Sequence, residues 1–213
     1  MKVFDGLYAF IWDDNRENNC NTYLIDADKK ILIDPGHKHL APKLLKHLSS
    51  LKITPDKIDL IIITHVHPDH IEAADLFKKP TLMAMGETEY KIFKQFGASF
   101  FKIPEPDILL KPGELKIGSV NIDVIETPGH SPGSICLYWK DKKALFTGDV
   151  VFSQGIGRTD LPGGNGSQLK ESILKLKELD ADYLLSGHGE IVAGRENVKR
   201  NFKMIEEYWF NYL

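Results

Sequence analysis

Three histidines and an aspartate fall within the six residues of HVHPDH (65–70). His65 and His67 follow the apolar run IDLIIIT (58–64) at an interval of two. On an extended chain that interval projects both side chains to the same side, so the two imidazoles make a two-pronged chelate. Pro68 disfavours helical geometry at His67 and suits the first position of a helix, which predicts a switch from strand end to helix there. Asp69 and His70 then occupy the first helical turn and face the same cleft with different reach. The spacing suggests two metal ions rather than one. A single buried histidine is ordinarily a hydrogen-bonded core residue. Four such groups buried without partners would cost on the order of several kcal/mol, whereas a divalent cation satisfies all of them.

Three other places repeat this layout, a polar ligand type directly after an apolar strand. IDVIETPGH ends in His130, KALFTGD in Asp149 and DYLLSGH in His188. Each reaches its ligand through a tight turn, so Gly129, Gly148, Gly187 and Gly189 are expected to shape a crowded site. The remaining histidines, His37, His39 and His47, lie in or near an amphipathic stretch and are expected to be solvated.

These residues need strands to mount them. LYAFIW (7–12), NTYLID (21–26) and KKILID (29–34) read as a meander, and IDLIIIT as a central strand apolar on both faces. Leucines 40, 44, 45, 48 and 51 recur at helical spacing, and helical patterns return at 69–77 and 86–96. Residues 111–129 read as a hairpin, 134–139 and 143–149 as two strands, and 167–179 as a helix capped by Ser167. A strand at 182–187 precedes a closing helix over about 195–212, in which Val198, Phe202, Ile205 and Trp209 are spaced to pack on the sheet. The aromatic end of that helix offers a homodimer contact as the alternative. Strands followed by helices, in two rounds, indicate layered α/β architecture, a β-sandwich with helices outside.

The 213 residues, 42% hydrophobic and 27% charged, suffice for a sizeable core and are read as a single domain, 1–213. A net charge of -3, without a block of like charge, argues against a nucleic-acid or membrane partner and leaves a small-molecule substrate. The N-terminus lacks a secretory layout, and no apolar run approaches the roughly 20 residues that cross a bilayer. Cys20 and Cys136 read as buried free thiols. A cytoplasmic location is therefore expected.

HVHPDH followed in order by His130, Asp149 and His188 resembles the metallo-β-lactamase fold superfamily, as does ILIDPG (31–36). The resemblance covers essentially the whole chain and implies a four-layer αββα sandwich with a metal site at one rim. Carried over by position, His65, His67 and His130 would hold one metal, Asp69, His70 and His188 a second, and Asp149 would bridge them. Asp34 would support the ligands from behind. A histidine at 70 and an aspartate rather than cysteine at 149 set the chain apart from the two-zinc lactamases and place it nearer glyoxalase II (hydroxyacylglutathione hydrolase). The loop FSQGIGRTDLPGGNGSQL (152–169) resembles the Gly-Arg-Thr/Ser-Asp loop of glyoxalase II-like hydrolases and persulfide dioxygenases. Arg158 in it either binds substrate or pairs with Asp160 to brace the loop. IEAA (71–74) departs from the relatives' DHxGG pattern, and with only 25 residues after His188 the glutathione-holding helical domain of glyoxalase II proper is not expected.

Five histidines and two carboxylates make zinc the default, while iron or manganese also suit nitrogen and oxygen donors without thiolate. Two metals about 3.5–4 Å apart would hold a bridging hydroxide at neutral pH. That nucleophile would attack an acyl thioester, with Asp69 orienting it and shuttling its proton. The leading expectation is thus a binuclear metal-dependent hydrolase of acyl thioesters. Its alternative is a persulfide dioxygenase with one non-haem iron on His65, His130 and Asp149. A lactonase or a nuclease ranks below both.

Overall fold

The structure, a computed structural model, describes residues 1–14, 16–98 and 102–213. Seven strands form the first sheet in chain order: β1 (Lys2–Phe4), β2 (Leu7–Phe10), β3 (Thr22–Asp26), β4 (Lys30–Ile33), β5 (Leu60–Ile63), β6 (Leu82–Gly86) and β7 (Ile108–Leu110). The meander β1–β4 is antiparallel, and β4 to β7 run parallel. The second sheet contains β8 (Gly113–Ile117), β9 (Val120–Glu126), β10 (Ile135–Trp139), β11 (Ala144–Gly148), β14 (Tyr183–Ser186) and β15 (Val192–Ala193). Its spatial order is β15-β14-β11-β10-β9-β8, and a small hairpin, β12 (Val151–Phe152) with β13 (Gly155–Ile156), stands apart. The helices are α1 (Ala41–Ser50), α2 (Pro68–Ile71), α3 (Glu87–Ile92), α4 (Gly166–Lys177) and α5 (Arg195–Tyr208).

The period of two along each strand explains the layers. Ile31, Ile33, Leu60 and Ile62 point between the sheets, against Ile122, Val124, Leu137 and Phe146. Their neighbours Leu32, Ile61 and Ile63 point outward and are covered by Leu44 and Leu48 of α1 and by Ile71. On the far face, Cys136, Leu145 and Leu184 are covered by Leu169 and Ile173 of α4 and by Val198 and Phe202 of α5. Each sheet is therefore apolar on both faces, and the result is the expected αββα stack. Both cysteines are buried and free. Among the described residues, no helix is long and apolar enough to cross a membrane.

Several boundaries differ from expectation. The helical pattern at 69–77 resolves into a single α-turn, α2, followed by a 3-10 stretch over Glu72–Leu76; that at 86–96 becomes α3 and a π-turn over Phe93–Gly97. The cap of α4 is Asn165, whose side chain accepts from Gln168 N, rather than Ser167, which lies inside the helix. The 167 assignment followed the capping preference of serine, but asparagine caps equally well and stands two residues earlier. α5 ends at Tyr208 rather than about 212; Val198, Phe202 and Ile205 in it are buried as expected, but Trp209, at its C-terminal cap, is 38% exposed and donates its indole N–H to Gln154 O. An indole needs a hydrogen-bond partner when it packs, and the turn of the β12–β13 hairpin offers one where the core does not.

Candidate metal centre

All the candidate ligands stand on the connections leaving the ends of β5, β9, β11 and β14, at one rim of the sandwich. β5 delivers His65 and His67; Pro68 opens α2, with His67 extended (φ -66°, ψ 143°), and α2 carries Asp69 and His70. The turns after β9, β11 and β14 deliver His130, Asp149 and His188. His65, His67 and His130 each present a ligand atom within 4.8 Å of the others, as do His65, His70 and Asp149, and Asp69, His70 and His188.

The hydrogen bonds behind the rings fix which nitrogen faces inward. Thr64 Oγ1 donates to Asp34 Oδ2 (2.7 Å), so the proton shared with His65 Nδ1 (3.0 Å) comes from the imidazole. His70 Nδ1 donates to Asp34 Oδ2 (2.9 Å), and His130 Nδ1 donates to the Arg158 carbonyl (2.8 Å). In all three rings this leaves Nε2 as the nitrogen that faces the centre. His67 is turned the other way, its Nδ1 lying 2.9 Å from His130 Nε2. His65 Nε2, His70 Nε2 and Asp149 Oδ1 are buried with no hydrogen-bond partner. His70 Nε2 and Asp149 Oδ1 lie 3.2 Å apart but are misaligned for a hydrogen bond, so the contact is one of charge. Buried nitrogen and oxygen atoms of this kind are costly unless something else meets them, and inward ring nitrogens of four imidazoles beside two carboxylates fit two divalent cations, which take the place of any ring proton.

Electrostatics divide the cluster. Burial drives His65 well below the ordinary imidazole range, burial and the neighbouring His130 bring His67 down to about 4, and burial lowers His130. For His70, burial also pulls down, but Asp149 and Asp34 outweigh it and hold the group well above its usual value. His188 behaves likewise: burial opposes, and the carboxylates of Asp149 and Asp69, each 3.3 Å from Nε2, raise it to about 9. Burial would raise both carboxyls, yet His188 and His70 keep Asp69 at about 2 and hold Asp149 well below the carboxylate range.

The supporting residues explain the glycines. Gly148 has φ +47°, and a Cβ on it would lie 2.6 Å from Thr64 Oγ1; one on Gly187 would lie 2.2 Å from Asp149 Oδ1 and 2.8 Å from His70 Cε1. Both positions let backbone pass where a side chain would displace a ligand. Asp34 itself adopts φ +51°, a conformation aspartate tolerates better than most residues. From there its carboxylate accepts from Thr64 N, Thr64 Oγ1 and His70 Nδ1.

Three supporting groups lie outside the sequence pattern. Asn18 Nδ2 donates to Asp69 Oδ2 at 2.6 Å, and nothing in the run NNCN marked it. Thr64, the polar end of an apolar strand, links Asp34 to His65 and was open to recognition from that position. Glu89 is the third: its carboxylate, 1% exposed, accepts from Val66 N (3.0 Å) and Gly133 N (2.8 Å). One side chain thus ties the segment between His65 and His67 to the turn after His130. A charge four residues before the buried Phe93, on the same helical face, was the available signal.

Arg158 contributes its carbonyl to His130, while its guanidinium forms a two-point pair with Asp160 (2.7 and 2.6 Å) in solvent. The structure therefore shows the bracing arrangement for the side chain. His47 is exposed, its ring stacked on Phe10, and His39 is exposed too. His37, expected to be solvated, is instead half-buried against Glu72.

A family model described as the metallo-beta-lactamase superfamily matches residues 15–188. A probable metallo-hydrolase of Methanocaldococcus jannaschii is 38% identical over 186 residues, spanning 80% of this chain and 88% of that one. A hydroxyacylglutathione hydrolase of Haemophilus influenzae is 33% identical over 199 residues, spanning 87% and 92%. Among solved structures, the BLEG-1 B3 metallo-beta-lactamase superposes with a TM-score of 0.72 at 28% identity, over 95% of this chain and 97% of that one. With that match, those identities and the ligands gathered at one rim of an αββα sandwich, the chain belongs to the metallo-beta-lactamase superfamily.

Proposed function

We propose that this chain is a binuclear metal-dependent hydrolase of acyl thioesters, with zinc as the working metal. The observation that carries the reading is the set of inward Nε2 atoms and the unpartnered Asp149 Oδ1 at the centre of seven ligand-type side chains. His65, His67 and His130 would hold one ion, Asp69, His70 and His188 the other, and Asp149 faces both groups. Similarity to a hydroxyacylglutathione hydrolase supports the thioester class. When bound, two such cations polarise an acyl carbonyl and lower the pKa of water from 15.7 to about 7.

The protein's own groups do the rest. Asp69, low in pKa and with Oδ2 fixed by Asn18 Nδ2 and His188 Nε2, is an ionised carboxylate placed to orient the attacking water and to shuttle its proton. Asp34 and Thr64 keep the His65 and His70 rings from rotating, so the geometry is set before substrate arrives.

The test is turnover of a panel by zinc-reconstituted protein: hydroxyacyl thioesters, lactones, phosphodiesters and a β-lactam. Thioester hydrolysis should exceed that of the others by at least about tenfold and stop on chelation. Thioester turnover no faster than with free zinc would overturn the reading. So would one iron per chain after anaerobic purification with oxygen consumption on a persulfide.

A further inference from the structure

Two features stand outside the centre just described. One is His37-Lys38-His39, which repeats the His-X-His spacing of His65 and His67; the other is Glu72, which departs from the pattern of relatives. They meet in space. His37 Nδ1 lies 2.8 Å from Glu72 Oε2, the rings of His37 and His39 are 5.1 Å apart, and the three groups each offer a ligand atom within 4.8 Å of the others. Glu17 adds a second carboxylate, its Oε1 3.6 Å from His39 Nε2. We propose that His37, His39 and Glu72, joined by Glu17, form a separate peripheral site for a divalent transition-metal cation such as Zn²⁺.

The ordinary alternative is a hydrogen-bonded His37–Glu72 pair with His39 a bystander. Three observations favour the site. His37 and His39, between β4 and α1, converge with Glu72, after α2, and Glu17, before β3, reaches His39 from a third segment. The loop carrying them is braced: His37 N donates to Asn19 Oδ1 (2.7 Å), Gly36 N to His70 O (3.2 Å) and Ala73 N to Gly36 O (2.8 Å). The Lys38 backbone N–H also reaches Glu72 Oε2 (3.4 Å), while its ammonium is drawn off to Asp75 Oδ2 (2.5 Å), so it does not occupy the point of convergence. Ligand atoms around tetrahedral zinc sit about 3.4 Å apart, from bond lengths near 2.1 Å. Closure from 4.8 Å is small, and His39, with a side chain 59% exposed, is free to supply it. Two imidazoles and two carboxylates without thiolate suit Zn²⁺, Ni²⁺ or Co²⁺ rather than Ca²⁺ or Mg²⁺. Because Gly36 and Ala73 bond to each other and Gly36 also to His70 O, an ion here would stiffen the loop between Asp34 and α2 from outside.

The experiment is a titration of untagged full-length protein, already saturated with Zn²⁺ at its central cluster, with further Zn²⁺ by calorimetry, with metal content after dialysis. Wild type should take up one more equivalent than the His37→Ala/His39→Ala variant, whatever the central cluster holds. The single variant His39→Ala alters an exposed side chain that holds no element in place. It should weaken the extra site at least tenfold while leaving thioester turnover and the melting temperature without added Zn²⁺ unchanged. Equal stoichiometry and affinity in wild type and both variants would overturn the proposal, as would no uptake by wild type beyond the central ions.

Discussion

His65 and His130 make the hydrogen bonds behind their rings to a hydroxyl and a carbonyl, His67 touches His130, and Asp149 comes no nearer than 3.5 Å to His130, whereas His70 and His188 each lie within 3.3 Å of two carboxylates among Asp34, Asp149 and Asp69. Burial is common to both groups and pushes every imidazole toward neutrality. Only in the second group do negative neighbours reverse it, so His188 rises to about 9 while His67 falls to about 4. Ligand type alone therefore does not set a ligand's readiness. The first cluster is deprotonated and open to a cation near neutral pH; the second stores protons in ion pairs that a cation must displace.

Removing Asp149 should erase the difference, because it is the carboxylate that faces His70, His130 and His188 together. Asp149→Asn is expected to lower kcat/KM by more than the roughly 100-fold that loss of a supporting partner costs, with metal content falling to one ion or fewer. Steady-state kinetics with metal analysis checks this; two retained ions and near-normal turnover would break the comparison.

The pH dependence sharpens it. A ligand that must lose a proton binds about tenfold more weakly for each pH unit below its pKa. With His188 at about 9, affinity of the second cluster should fall by about 50-fold between pH 9 and pH 7 from that group alone, whereas the first cluster, with His67 at about 4, should hold nearly constant. The sign also applies to metal-free protein. A raised histidine stabilises the fold below the unfolded value near 6.5, and that contribution disappears as pH rises through about 9. Metal titrations at several pH values would show two sites that separate on acidification; parallel behaviour would count against the assignment.

Asp34→Asn keeps the shape but gives Thr64 N, Thr64 Oγ1 and His70 Nδ1 a poorer acceptor. A loss of about 10–100-fold in metal affinity is expected, concentrated in the second cluster. Glu89→Gln acts on the first cluster instead, because a carboxamide has one acceptor for two backbone donors. Urea unfolding should show a loss of about 1–3 kcal/mol from the unmet N–H group. The smallest effect belongs to Arg158→Ala: with the side chain paired only to Asp160 in solvent, the melting temperature and thioester KM should stay at wild-type values, whereas a clear rise in KM would assign the guanidinium to substrate.

Much of this was open to reading in the chain. The period-two alternation that sends Ile31 and Ile33 one way and Leu32 the other announces a sheet covered on both faces, and the turns placing His130, Asp149 and His188 after apolar strands announce a common rim. Less was visible where a contact depends on another segment. Asn18 lies 51 residues from Asp69, and Glu89 spans segments 23 and 44 residues away. The short helices were over-read for the same reason: 69–77 carries a helical pattern, but only one α-turn forms before the chain tightens into a 3-10 stretch. Nothing beside His37 in the chain announces its burial, because its partner, Glu72, is 35 residues away.

The sequence by itself determined the layered sandwich and the seven ligand-type residues, because hydrophobic period and ligand spacing are local properties that survive in a linear string; the superfamily followed from the resemblance those residues carry. Only the tertiary structure decided which ring nitrogen faces the centre, which histidines carry protons, and that His37, His39 and Glu72 share one place. Those outcomes rest on distances between remote segments: an imidazole's tautomer and pKa are set by the oxygen brought beside it, not by its neighbours along the chain.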